Sequence, residues 1–131
     1  MNRSQVVKAA KTAGTWAPAI LLMLIFIPQG WSKFSESSGW ATAFRHWGYP
    51  VWFRETIGVT ELLAAALLLS GRFAAFGATL IICVMLGGMA THLAFDHGRN
   101  ISSEVVPLTL ATVVLIIRRG QLGALINRWR A

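Results

Sequence analysis

An all-α polytopic membrane protein is the fold class this chain predicts: a bundle of four transmembrane helices, with an interfacial segment between helices one and two. Three observations carry that expectation. Of 131 residues, 55% are hydrophobic and only 13% charged, and the mean hydropathy is +0.57. Residues 12–32 and 73–95 contain no Lys, Arg, Asp or Glu. Each run reaches the roughly 20 apolar residues a bilayer core demands. Finally, Glu61 stands alone in the apolar stretch 56–70. A carboxylate at the centre of a spanning helix costs about 2.5–3.5 kcal/mol on insertion scales, so it faces the protein interior and has a partner.

The first helix is expected over 12–31, with Pro18 near its start and Pro28 opening or kinking its last turn. A second follows over 52–70, carrying Arg54, Glu55 and Glu61. The pair Gly71 and Arg72 makes a tight turn into a third helix over 73–95. The fourth, over 102–118, is the shortest, with Ser102 or Ser103 as its cap and Gly120 as its stop. Between helices one and two, Trp40, Phe44 and Trp47 recur at helical spacing, the mark of a short helix in an interfacial belt. The tail predicts a second interfacial helix, with Leu122, Leu125, Ile126 and Trp129 on one face. The length allows one domain, 1–131.

The formal net charge of +7 would suggest nucleic acid in a soluble chain, but here Lys and Arg flank apolar runs and face anionic lipid. Membrane lipids are therefore the expected partners, and nucleic acid is not. Cys83 is the one cysteine, so neither an intramolecular disulfide nor a CxxC redox motif exists. It lies nine positions from His92, on the opposite helix face, and reads as a packing residue. Arg3, Lys8 and Lys11 precede the first apolar run as in a signal peptide, yet 27–32 offers no small-x-small cleavage site. An uncleaved first span is expected. With four spans, Arg3, Lys8, Lys11, Arg72, Arg118, Arg119, Arg128 and Arg130 share one side, and Lys33, Arg45, Arg54 and Arg99 the other. The positive-inside rule then puts both termini in the cytoplasm, in a multi-pass protein of the inner membrane.

Lys33 at the end of helix one, Glu61 in helix two and His92 near the end of helix three converge on one region, with Gln29 on its rim. Small residues flank them: Gly58, Ala64 and Ala65 beside Glu61, Gly88 and Thr91 beside His92. These let backbones approach, or leave room for a ligand. Depth leaves the pairing open. Glu61 is nine residues below Trp52, roughly 13 Å at 1.5 Å per residue, so Lys33 must reach inward, or His92 must bridge. Asp96 and Glu104 read as loop or cap residues. No ExxH or HxxxH pair supports a metal site, and Ser32 lacks a base-and-orienter set for nucleophilic catalysis. An acid, an amine and an imidazole suit proton-coupled binding of a polar head on an apolar body: a quinone, a lipid or another amphiphile.

Residues 24–34, Leu-Ile-Phe-Ile-Pro-Gln-Gly-Trp-Ser-Lys-Phe, resemble the first-helix signature of the DoxX family. Gly58-Val-Thr-Glu61 is similar to its second-helix motif, Gly71-Arg-Phe73 to its turn, and Thr91-His92 to its third-helix histidine. The resemblance spans about 15–118. It implies a small four-helix membrane protein with Lys33, Glu61 and His92 as the polar core, in a family linked to quinone oxidoreduction and thiol or oxidative-stress systems. Two functional readings follow. In the first, the protein binds a quinone or similar amphiphile and serves a partner oxidoreductase, since no haem, flavin or iron–sulfur motif is present. In the second, it is a non-catalytic membrane subunit or small transporter whose polar core is structural or conducts protons. Gly77, Gly87 and Gly88 are candidates for a helix contact within the chain or in a homo-oligomer.

Overall fold

The computed structural model describes residues 2–98 and 101–130, without the side chains of Leu125 and Arg130; Arg99, counted above for orientation, and the Leu125 side chain of the tail's apolar face lie outside the described residues. The described chain is helical. In order come α1 (Arg3–Ser32), α2 (Gly39–Trp47), α3 (Val51–Ser70), α4 (Ala74–Phe95), a 3-10 turn (Ile101–Glu104), α5 (Val105–Ile117) and α6 (Arg119–Arg130).

Four of these close into a ring, with α1 packed on α3, α3 on α4, α4 on α5 and α5 back on α1. Their directions alternate. Gly71 and Arg118 meet Trp16 at one end, whereas Lys33 meets Arg54, and His92 meets Glu104, at the other. The centre is filled by Leu22, Phe26, Leu68, Ile81 and Val114, with Ala64, Ala78 and Ala111 letting the helices close on them. Large apolar side chains also cover the outside, among them Leu24, Leu63, Leu86, Leu93, Val106 and Ile116. Apolar outside as well as inside is what a lipid surrounding requires. By length and composition α1 and α4 can cross a membrane, and the 3-10 turn and α5 pass the same test only together with α6, as a pair bent by 57° that is a broken span or a re-entrant loop. The 20 residues of α3 include Arg54, Glu55 and Glu61.

Several boundaries depart from expectation, each for a local reason. Helix α1 starts nine residues earlier, because Asn2 and Gln5 form a reciprocal capping box. Its end, at Ser32, lies one residue from the expected one, with Pro28 inside the helix. Neither Ser102 nor Ser103 caps α5; both lie in the 3-10 turn, and Ser103 Oγ donates to Glu104 Oε2 instead. Gly120 lies inside α6, and the break falls at Arg118. Cys83 is exposed rather than packed. The turn after α3 is held from α6: Gln121 Nε2 donates to Gly71 O at 2.7 Å, and Gln121 Oε1 accepts from Ala75 N at 3.0 Å.

Two glycine contacts set the spacing of the ring. A β-carbon on Gly58 would lie 2.9 Å from the carbonyl oxygen of Gly30, and one on Gly77 would lie 2.7 Å from that of Ala64. Both obstacles are backbone, which cannot swing aside. Gly58→Ala is therefore expected to cost about 1–3 kcal/mol as an overpacked contact. Gly87→Ala, whose added carbon meets nothing within 4 Å, is the matched control. Thermal unfolding of both variants in detergent checks this: equal melting temperatures would show that the crossing tolerates a side chain.

Candidate functional site

The close approach of Gly30 to Gly58 brings the end of α1 against the first half of α3. Lys33, one turn beyond Gly30, turns its side chain inward and down to Glu61, one turn beyond Gly58. Lys33 Nζ lies 2.7 Å from Glu61 Oε1, and the two side chains are 3% and 2% exposed. The sequence had left open whether Lys33 reaches inward; it does. The ammonium also sits 3.9 Å from the centre of the Trp40 ring, whose π face favours a cation. The other carboxylate oxygen, Glu61 Oε2, is buried and has no hydrogen-bond partner among the described residues.

A second cation holds this corner in place. Arg54, 2% exposed, donates from Nε to the carbonyl oxygen of Lys33 at 2.8 Å and from Nη2 to Glu36 Oε1 at 2.7 Å. It therefore satisfies a carbonyl left open at the end of α1. In turn, the guanidinium holds the Glu36 carboxyl below the usual carboxylate range.

His92 does not bridge Lys33 and Glu61. It stands in a separate polar cluster on the facing side. Its Nδ1 lies 2.9 Å from Asp96 Oδ2, one helical turn on, and its Nε2 lies 3.2 Å from Glu104 Oε1. Two ring nitrogens facing two carboxylates need two protons between them. Trp47 Nε1 donates to Asp96 Oδ2 at 3.0 Å, and the exposed His46 places Nε2 3.1 Å from Asp96 Oδ1. The His92 hydrogen bond, then those of Trp47 and His46, hold the Asp96 carboxyl below its usual range. Glu104 is buried here, and the Glu104 carboxylate fills the space beside Gly88. Thus Asp96 and Glu104 are partners of His92, not merely loop or cap residues.

Between the two clusters lies a cavity of about 340 Å³. Glu61, Lys33 and Gln29 line one side, and His92 and Glu104 the other. The sequence's four candidates are thus all brought to one space, although His92 takes different partners from those anticipated. Trp40, Phe44, Trp47 and Tyr49 form an aromatic wall. Tyr49 Oη lies 2.9 Å from Thr91 Oγ1, which already donates to Gly87 O, so the phenol is the donor. The aromatic connection is therefore a wall of the cavity rather than a surface belt; Trp31, Trp52 and Trp129 are the tryptophans that stay outside. The size falls at the low end for small-ligand sites, and apolar walls with a few convergent polar groups are their usual make-up.

The depressed Asp96 carboxyl sets a pH dependence. Its folded-state value lies below the unfolded one, so its contribution to stability is present above about pH 3.9, the ordinary aspartate value. That contribution is lost as pH falls through the folded value. Melting temperature should decline below this point in the wild type and less steeply in Asp96→Asn, as differential scanning fluorimetry across pH 3–7 would register. Identical slopes would contradict the assigned role of Asp96.

The sequence is 28% identical over 101 residues to an uncharacterised protein, YdgD, of Bacillus subtilis (strain 168), covering 75% of this chain and 85% of that one. No solved structure matches. The profile of the DoxX-like family matches residues 17–116, which takes in Gly30, Lys33, Arg54, Glu61, His92 and Glu104. The chain belongs to the DoxX-like family and is a small membrane protein.

Proposed function

We propose that this is a four-span inner-membrane protein, one domain over 1–131, which binds the polar head of a quinone-type amphiphile between Glu61 and His92 and serves a partner oxidoreductase. The observation that carries the reading is the buried, unpartnered oxygen of Glu61, a residue that lines the cavity. An unpaired buried acceptor costs about 1–3 kcal/mol, and more when charged. A ligand that brings a donor relieves that cost. The reduced form of a quinone does so with its hydroxyl, while the aromatic wall accommodates a flat ring. Lys33 supports the ligand indirectly, by keeping Glu61 in place.

Charge distribution supports the topology. Arg3, Lys8, Lys11, Arg72, Arg118, Arg119 and Arg128 belong to the end of the ring opposite the cavity. Lys33, Arg45 and Arg54 belong to the cavity end. The positive-inside rule puts the basic end, with both termini, in the cytoplasm and the cavity towards the other face. At only 13 residues, about 20 Å long, α5 makes the fourth span together with the 3-10 turn before it, and Arg118 and Arg119 mark its cytoplasmic end.

Decylubiquinol is the probe that tests this reading. It should quench the tryptophan fluorescence of the purified protein saturably, because Trp40 and Trp47 line the cavity. Glu61→Gln should weaken binding about tenfold to a hundredfold, the loss of one hydrogen bond to a charged acceptor, with folding intact by circular dichroism. Unchanged affinity in a folded Glu61→Gln variant would remove the site. Collapse of the fold together with binding would favour the second reading, a polar core that is structural.

A further inference from the structure

We propose that His46, Asp96, His92 and Glu104 form a proton relay between the aqueous face and the cavity. The geometry is continuous. His46, 64% exposed at its side chain, meets Asp96 Oδ1 at 3.1 Å. Asp96 Oδ2 meets His92 Nδ1 at 2.9 Å, and His92 Nε2 meets Glu104 Oε1 at 3.2 Å. The placement of the imidazole matters as much as the distances. An outer vestibule is lined by His46, Asp96 and His92, while the inner cavity is lined by His92 and Glu104. His92 belongs to both spaces, and its two nitrogens point to opposite ends of the chain.

An imidazole so placed can pass a proton without moving. A proton that His46 delivers to Asp96 passes to Nδ1, the carboxyl turning between its two oxygens, as the proton on Nε2 leaves for Glu104 Oε1. The reverse passage resets the ring, so no proton is created or lost. The surrounding groups leave this route open. Across the cavity, α1 and α3 present Lys33 and Glu61, paired with each other at 2.7 Å with one Glu61 oxygen left over. From α2 comes the Trp47 ring, edge-on at 5.3 Å, and its indole N–H is given to Asp96. The 3-10 turn presents Glu104, whose second oxygen accepts from Ser103. A purely structural strap tying α2 to α4 would not need a buried second carboxylate on the cavity side of the ring. The relay's use, exchanging a proton with a bound head group, rests on the binding reading above; the relay itself belongs to the ligand-free protein and is tested there.

The experiment is nuclear magnetic resonance on ¹⁵N-histidine-labelled protein in phosphatidylcholine nanodiscs, with no ligand added. It reads exchange of the His92 ring N–H protons with water, assigned by their loss in His92→Gln. Asp96→Asn keeps the shape and an acceptor for Trp47 but cannot carry a proton, and it should slow the exchange about tenfold or more. A strap predicts the opposite sign, because a weaker strap opens more often and exchange becomes faster. Exchange that is unchanged or faster in Asp96→Asn overturns the relay. Should that variant fail to fold, His46→Gln, on an exposed side chain, should slow exchange about threefold by the same removal of a proton carrier, and no slowing there overturns the relay as well. Since decylubiquinol is absent, either result leaves the binding reading to its own test.

Discussion

The buried pair of Lys33 and Glu61 is the constraint around which the ring of helices is arranged. Taking both charges out of water costs several kcal/mol per ion, and their attraction compensates only if the geometry is good. Here the geometry comes from what is missing. Gly30 and Gly58 lack side chains, so α1 and α3 approach until backbone meets backbone, and Lys33 can reach a carboxylate one turn deeper. Arg54 then fastens the Lys33 carbonyl, which keeps the end of α1 from fraying away from the pair. The compensation is incomplete by one oxygen, and it belongs to a residue that lines the cavity.

A good part of this was legible in the sequence. An isolated carboxylate in an apolar helix announces a partner, and the run of small residues around Glu61 announces a close neighbour. The apolar runs located the helices to within a few residues wherever hydropathy sets the boundary, as at both ends of α3 and α4. Where hydrogen bonding sets it, the pattern misled. The capping box of Asn2 lengthens α1 through a polar stretch, and a 3-10 turn takes up the serines before α5. Apolar periodicity carries no information about either.

The company of His92 was the least legible feature. Asp96 is four residues away, a spacing visible in the sequence, but it lies where the helix ends and so reads as loop. Glu104 is twelve residues away across a turn whose conformation no pattern reveals. Arg54 was hidden for a related reason: its principal partner is a backbone carbonyl, and any residue can supply one. The signal that would have found both was the cost of burial itself. Arg54 and Glu104 sit on stretches that the ring must bury, so each was bound to have a partner.

The aromatic wall is built mainly from α2, a helix of nine residues that hangs between α1 and α3 and takes no part in the ring. Its inward face of Trp40, Phe44 and Trp47 is what the cavity's contents would touch, while the packing that holds the ring together lies elsewhere. The ring and most of the aromatic wall are thereby written in separate stretches of the chain. An edit to this short insert is nonetheless felt by the charges beneath it, because Trp40 lies over the Lys33 ammonium and Trp47 gives its N–H to Asp96.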